Sequence, residues 1–159
     1  MEFKKQPFIP MLFGGDINTY SVARAFYEEY QVKTYVFGKF PSGPSYNSNI
    51  IEYHADLKID TDDVFMKTVR DFAAAHADKT VLTIGCGDSY VALCSRHKDE
   101  MPENVVAPYI DFELRDRLQQ KELFSRLCRE HDIDFPDTLV FRYGMDLDFE
   151  LPFSFPVIL

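Results

Sequence analysis

Cysteine is scarce in this chain and is not arranged for cross-linking or metal binding. The three cysteines, Cys86, Cys94 and Cys128, include no Cys-x-x-Cys pair, and their number is odd. The four histidines show no metal-binding spacing to a cysteine or a carboxylate. We therefore expect neither a disulfide framework nor a metal site, and a reducing compartment fits this pattern.

Long apolar runs are also missing. The first thirty residues carry Lys4, Lys5, Asp16 and Arg24, which leaves no stretch that resembles a signal peptide. No run approaches the roughly 20 apolar residues that span a bilayer. These absences predict a cytoplasmic protein with no membrane partner.

Positive charge is in short supply. The 159 residues carry 17 lysines and arginines against 26 acidic residues, which gives a formal net charge of −9. A surface with this balance repels phosphate backbones and anionic lipids at long range. Nucleic acid is therefore not expected as a partner. The length and the 46% hydrophobic content are those of one packed globular domain with room for the start of a second.

The chain alternates short apolar runs with helical stretches. The runs predict strands at 8–13, 33–37, 50–53, 81–84 and 105–107, and the stretches predict helices at 18–30, 61–77 and 89–96. A loop without regular structure is predicted at 38–49. This repetition predicts an α/β fold, a Rossmann-like parallel sheet with helices on both faces and a central strand order of 3-2-1-4. Beyond it, 113–131 reads as a helical region broken near 118–120, and 135–141 reads as a strand.

Two glycine turns lie where a strand gives way to a helix. They are Gly14-Gly15-Asp16 after the first strand and Gly85-Cys86-Gly87-Asp88 after the fourth. Glycine allows a ligand to approach the backbone, and a helix amino terminus offers free amides. In the predicted order both turns flank the crevice where such folds bind ligands. The alternative is that glycine serves the tight turn itself, and neither turn has the full Gly-x-Gly-x-x-Gly dinucleotide pattern.

Polar residues beside these turns are the candidates for ligand binding. Asp16 and Asp88 either orient a ligand amine or hydroxyl or cap their helices, and Asn18 is a second possible cap. The Cys86 thiol sits at a helix start, where its pKa can be lowered, but no basic partner is evident, so no catalytic residue is assigned. The predicted substrate-binding set is Gly14, Gly15, Asp16, Asn18, Tyr46, Asn47, Gly85, Gly87 and Asp88.

The order of these parts resembles the amino-terminal region of ATP-grasp enzymes. The resemblance is to bacterial carboxylate–amine ligases that are similar to the carbamoyl-phosphate synthase large chain. It rests on the two glycine turns, the Tyr20-Ser21-Val22-Ala23-Arg24 helix and the Gly43-Pro44-Ser45-Tyr46-Asn47-Ser48 loop. It also rests on the segment Ile133-Asp134-Phe135-Pro136-Asp137-Thr138, which is preceded by Asp132 where the family has glycine.

The resemblance implies a division of the chain and a reaction. Residues 1–110 would form the pre-ATP-grasp, substrate-side domain, and residues 111–159 the start of a truncated ATP-grasp domain. The family joins a carboxylate to an amine through an acyl phosphate, using ATP and magnesium. Lys121 would contact ATP, although a solvated helix lysine is the alternative. The remaining nucleotide and magnesium residues would follow Leu159, so this fragment is not expected to bind ATP tightly or to be catalytic alone.

Two other functions remain open at this point. One is a self-contained Rossmann-like nucleotide-binding protein, and the other is a non-catalytic interaction domain. The expected partners are a small-molecule carboxylate or amine and, because pre-ATP-grasp regions often help to form dimers, a second copy of the chain. The end at Pro156-Val157-Ile158-Leu159 has the composition of a strand interior, from which we expect a truncated chain.

Overall fold

Five parallel strands form the central sheet. In this computed structural model, which describes residues 2–41 and 43–146, they are β1 (Phe8–Phe13), β2 (Thr34–Gly38), β3 (Ile51–Ala55), β4 (Thr80–Gly85) and β5 (Val105–Val106). Their order across the sheet is β3-β2-β1-β4-β5. The predicted Rossmann-like α/β fold and its central strand order are confirmed.

Six helices are assigned in the part of the chain that the structure describes. They are α1 (Ile17–Tyr30), α2 (Gly43–Tyr46), α3 (Asp62–Ala75), α4 (Asp88–Arg96), α5 (Phe112–Gln119) and α6 (Lys121–Glu130), with a 3-10 turn at Lys98–Glu100. The break predicted near 118–120 is present between α5 and α6. The prediction of no regular structure at 38–49 was wrong, because the short helix α2 lies inside that loop.

The strand predicted at 135–141 was also wrong. The segment is rich in residues that suit a pleated surface, but no strand is assigned anywhere from 131 to 146. A strand exists through its ladder of hydrogen bonds to a neighbour, and composition alone does not supply that neighbour. The apolar segment at 156–159 lies outside the described residues.

The strands bury side chains on both faces of the sheet. From β1, Met11 and Phe13 join a core with the apolar residues of α3 and α4, whereas Leu12 joins a second core with α1. Met11, Leu12 and Phe13 are all fully buried. A continuous apolar run is therefore required in β1, as in other strands covered on both faces.

The chain packs as two units. The first is Met1–Arg115, which contains the sheet, and the second begins at Asp116. In the second unit, Cys128 and Ser125 of α6 are buried, while Lys121 at the helix start is exposed.

The end of α6 has the geometry that glycine normally provides. Asp132 has a φ of 51°, and the Ile133 amide donates to the Cys128 carbonyl at 2.9 Å. This is a Schellman arrangement, whose left-handed position most often holds glycine. The resemblance aligns Asp132 with a glycine of the related motif.

Asp132→Gly is expected to stabilise the chain by about 0.5–1 kcal/mol, because glycine adopts the left-handed conformation without steric cost. Urea unfolding followed by circular dichroism measures the change. Asp134→Gly is the matched control. Asp134 does not have a positive φ, so glycine at this position should not stabilise the chain. Equal stabilisation by both substitutions would contradict the assignment of strain to Asp132.

The Asp62 carboxylate joins the start of α3 to the end of α4. It accepts from Arg96 Nη1 at 2.7 Å and contacts His97 Nε2 at 2.6 Å. The hydrogen bond from Arg96, followed by that from His97, holds the pKa of Asp62 below its usual value. A lowered folded-state pKa means that the stabilisation is present above the ordinary carboxyl pKa and is lost as the pH falls through the folded value.

Asp62→Asn is therefore expected to destabilise the chain at neutral pH and to cost progressively less below about pH 4. Thermal unfolding of both proteins from pH 7 to pH 2 tests this expectation. The two midpoints should converge in acid. A constant difference over the whole range would show that the carboxylate charge is not what stabilises the contact.

Candidate functional site

The two glycine turns lie side by side at one edge of the sheet. Phe13, the last residue of β1, is paired with Gly85, the last residue of β4. The Cys86 amide donates to the Phe13 carbonyl at 2.8 Å, so the second turn is tied to the end of β1. The strand order reverses between β1 and β4, which makes this edge the topological switch point of the sheet.

A cleft of about 550 Å³ opens at this edge. Its volume is in the range of small-molecule sites. Residues from both turns, from the loop after β2 with the helix α2, from β3 and from the starts of α1 and α4 line it: Gly14, Gly15, Asp16, Ile17, Lys39, Phe40, Gly43, Pro44, Tyr53, Cys86, Gly87, Ser89 and Tyr90.

Asp16 is the amino-terminal cap of α1 and also lines the cleft. Its Oδ1 accepts from the Thr19 amide and the Thr19 hydroxyl, both at 3.1 Å, and its Oδ2 accepts from Asn18 Nδ2 at 3.1 Å. The two readings of Asp16, cap and ligand contact, are therefore compatible. Asn18, the alternative cap, instead donates a hydrogen bond to the Asp16 carboxylate.

The Cys86 thiol is not activated. Its pKa is raised to about 11, chiefly by burial, with a lowering contribution from a hydrogen bond with Thr19 and a smaller raising contribution from the charge of Asp16. The lowering that a helix start can cause is outweighed, chiefly by burial. The Cys86 thiol is therefore uncharged at neutral pH and lines the cleft.

Lys39 and two tyrosines are cleft residues outside the predicted set. The Lys39 ammonium lies 2.7 Å from Asp60 Oδ2, and the Tyr53 hydroxyl donates to the Phe40 carbonyl at 2.8 Å. Tyr90, in the first turn of α4, is 9% exposed. An aromatic residue in a strand or at a helix start is usually a core residue, which is why sequence reasoning passed over both tyrosines.

Two residues that follow β5 form hydrogen bonds with the second glycine turn and the start of α4. The Gly85 amide donates to the Tyr109 hydroxyl at 2.7 Å, and Arg115 Nη2 donates to the Asp88 carbonyl at 2.8 Å. Burial raises the pKa of Tyr109, so its hydroxyl stays protonated at neutral pH. These contacts fix the position of the turn relative to the sheet.

The predicted set divides into two groups. Gly14, Gly15, Asp16 and Gly87 line the cleft, and five other residues do not: Asn18, Tyr46, Asn47, Gly85 and Asp88. The Tyr46 ring contacts that of Tyr53 edge-on at 5.7 Å, and Asn47 lines a separate depression with Tyr20 and Pro44. Asp88 is not the cap of α4, because that position is occupied by Gly87 in extended conformation.

Lys121 supplies one exposed ammonium group at the start of α6. No group of three histidine, cysteine or acidic side chains is arranged to hold a metal ion within 2–41 and 43–146. In the same ranges, no helix is both long and apolar enough to cross a membrane.

Comparison with known proteins gives one informative relative. D-aspartate ligase from Enterococcus faecium (strain Aus0004) is 38% identical to this chain over 163 aligned residues. The chain is similar to part of a ligase. The alignment covers 98% of the chain but only 39% of the relative. No protein-family profile matches the chain. No solved structure matches it either.

Proposed function

We propose that the chain is the amino-terminal, substrate-side part of an ATP-dependent ligase that joins a carboxylate to an amine. The alignment of nearly the whole chain with a D-aspartate ligase carries this proposal. The Rossmann-like sheet, with a cleft at its switch point, supports it, because ligands of such sheets bind there. D-aspartate is the first substrate to test.

We also propose that the parent enzyme belongs to the ATP-grasp group similar to carbamoyl-phosphate synthase. ATP and magnesium would activate the carboxylate as an acyl phosphate in a part of the parent beyond this chain. Residues 1–110 would form the substrate-side domain and residues 111–159 the beginning of the ATP-grasp domain. The left-handed Asp132 in the position of the related glycine supports the second assignment.

The proposed role of the chain itself is binding rather than catalysis. The cleft holds no activated nucleophile, since Cys86 stays protonated, and its tyrosine hydroxyls are neutral at physiological pH. Lys121 remains the proposed ATP contact, in the second unit. Association of two copies through the first unit is a further proposed role, which light scattering tests directly.

The full-length parent protein is expected to release phosphate from ATP when magnesium, D-aspartate and an acceptor amine are supplied. Phosphate release and the mass of the amide product measure the reaction. The chain of 159 residues is the matched control and should release none. Omission of D-aspartate should abolish the reaction in the parent.

ATP-dependent phosphate release by the chain alone would overturn its assignment as a non-catalytic part. Tight binding of NAD by the chain would instead favour a self-contained nucleotide-binding protein. The Asp16 cap argues against that alternative, because its carboxylate occupies the amide that a phosphate would need at the start of α1.

A further inference from the structure

Tyr90 carries a hydrogen-bonding group that the protein leaves unused. The side chain is 9% exposed, and its ring packs on Phe13 with centroids 6.1 Å apart. Within 2–41 and 43–146, no residue forms a hydrogen bond with its hydroxyl, although Tyr90 lines the cleft. The hydroxyl is not one of the fully buried unpaired atoms, so it is open to the solvent of the cleft. The Tyr90 hydroxyl is thus available to a ligand in the cleft.

This hydroxyl is a donor. Burial, followed by the charge of Asp60, raises the pKa of Tyr90 to about 12, so the phenol stays protonated. A protonated phenol donates its proton to a ligand oxygen. The nearby Asp60 carboxylate is paired with Lys39 at 2.7 Å, so the surroundings of the hydroxyl offer no unpaired cation to an anionic oxygen. An uncharged acceptor, such as an amide oxygen, fits the position best.

The charges that line the cleft do not cancel. Lys39 is the one cation among the described lining residues, and Asp60 neutralises it from 2.7 Å away. Asp16 has no such counter-charge among the residues the structure describes. The net side-chain charge at the cleft is therefore negative, and it lies at the start of α1, whose amino terminus offsets part of it.

The Asp16 carboxylate is also fixed by hydrogen bonds, and it can still accept another one. Thr19 occupies Oδ1 with two hydrogen bonds, while Oδ2 accepts only from Asn18. A carboxylate oxygen accepts about two hydrogen bonds, so Oδ2 has capacity for one more. A cationic amino group would satisfy both that capacity and the unbalanced charge.

We propose that this cleft binds the amine partner of the ligation, with the cationic amino group at Asp16 and an uncharged oxygen of the same molecule at the Tyr90 hydroxyl. This inference rests on the proposed function and chooses between its two substrates. The carboxylate partner then binds elsewhere in the parent enzyme. A ligand without a cationic group, or without an oxygen acceptor, loses one of the two contacts.

Four small probes separate these contributions. Glycinamide has both an ammonium group and an amide oxygen, N-acetylglycinamide lacks the cation, ethylamine lacks the acceptor, and N-acetylglycine is an anion. Titration of the ¹⁵N-labelled chain should shift the amides of Gly14, Gly15, Gly87 and Ser89 with glycinamide. Its dissociation constant is expected to be about tenfold lower than that of each other probe.

Two conservative variants test the named contacts. Asp16→Asn keeps a good helix cap and removes the charge, and Tyr90→Phe keeps the ring and removes the hydroxyl. Each should weaken glycinamide binding by about tenfold. In Asp16→Asn, glycinamide should also lose its advantage over N-acetylglycinamide. Asp78→Asn and Tyr30→Phe, which lie outside the cleft, are the controls and should bind as the original chain does.

Two results would overturn the inference. One is tighter binding of N-acetylglycine than of glycinamide at the cleft, and the other is the absence of cleft shifts with every probe. The spectrum of each variant shows whether it is folded before binding is measured. The proposed ligase function is judged separately by phosphate release from the parent protein, so either inference can fail without the other.

Discussion

Phe13→Ala is expected to lower the free energy of unfolding by about 3–5 kcal/mol, because it removes a fully buried aromatic side chain and leaves a cavity. Phe13 is fully buried, and its ring lies 4.6 Å from that of Phe65 and 5.7 Å from that of Phe37, measured between centroids. Urea unfolding followed by circular dichroism measures the loss.

Phe13→Ala should also weaken ligand binding in the cleft. The Phe13 ring also packs on Tyr90, whose hydroxyl we propose as a ligand donor, so the cavity lies directly behind the site. Glycinamide binding should weaken even at temperatures where the variant stays folded. Phe3→Ala is the control, because Phe3 is 43% exposed and its loss should cost about 1 kcal/mol or less. Equal costs for Phe3 and Phe13 would contradict the placement of the core.

The sequence was sufficient where one local rule decides the structure. The apolar run at 8–13 had to be a strand covered on both faces, and β1 has those bounds. The two glycine turns had to meet once the strand order was 3-2-1-4, because the carboxyl ends of parallel strands share an edge. Asp16 was predicted either to cap α1 or to orient a ligand, and the cap is confirmed.

The sequence alone did not predict the features of the site that depend on contacts between distant segments. Nothing in the sequence around Tyr90 distinguishes a hydroxyl that faces a cleft from an aromatic residue of the core. The Tyr109 hydroxyl accepts a hydrogen bond from the amide of Gly85, which lies 24 residues away in the sequence, so no spacing rule indicates this pair. Asn47 looked like a pocket residue in the loop at 38–49, but α2 turns it towards a different depression.

The two glycines of the second turn looked equivalent in the sequence, but the structure gives them different roles. A Cβ on Gly85 would lie 2.6 Å from the Tyr90 carbonyl carbon and 2.6 Å from the Val91 amide nitrogen. Both are backbone atoms of α4, and they have no rotamer through which to move away. A Cβ on Gly87 would meet nothing closer than Tyr90 Cδ2 at 3.9 Å, and Gly87 is extended, with a φ of −156°.

Gly85→Ala is therefore expected to destabilise the chain by about 1–3 kcal/mol through overpacking and to push the start of α4 away from β4. Gly87→Ala should cost no more than about 1 kcal/mol, mainly through the poorer helix cap. Urea unfolding compares the two variants, and amide shifts of Ser89 and Tyr90 report the displacement of α4. Glycinamide binding should be lost in Gly85→Ala and largely kept in Gly87→Ala. If both alanines were tolerated equally, the close packing of α4 on the end of β4 would be wrong, and with it the position of Tyr90 in the cleft.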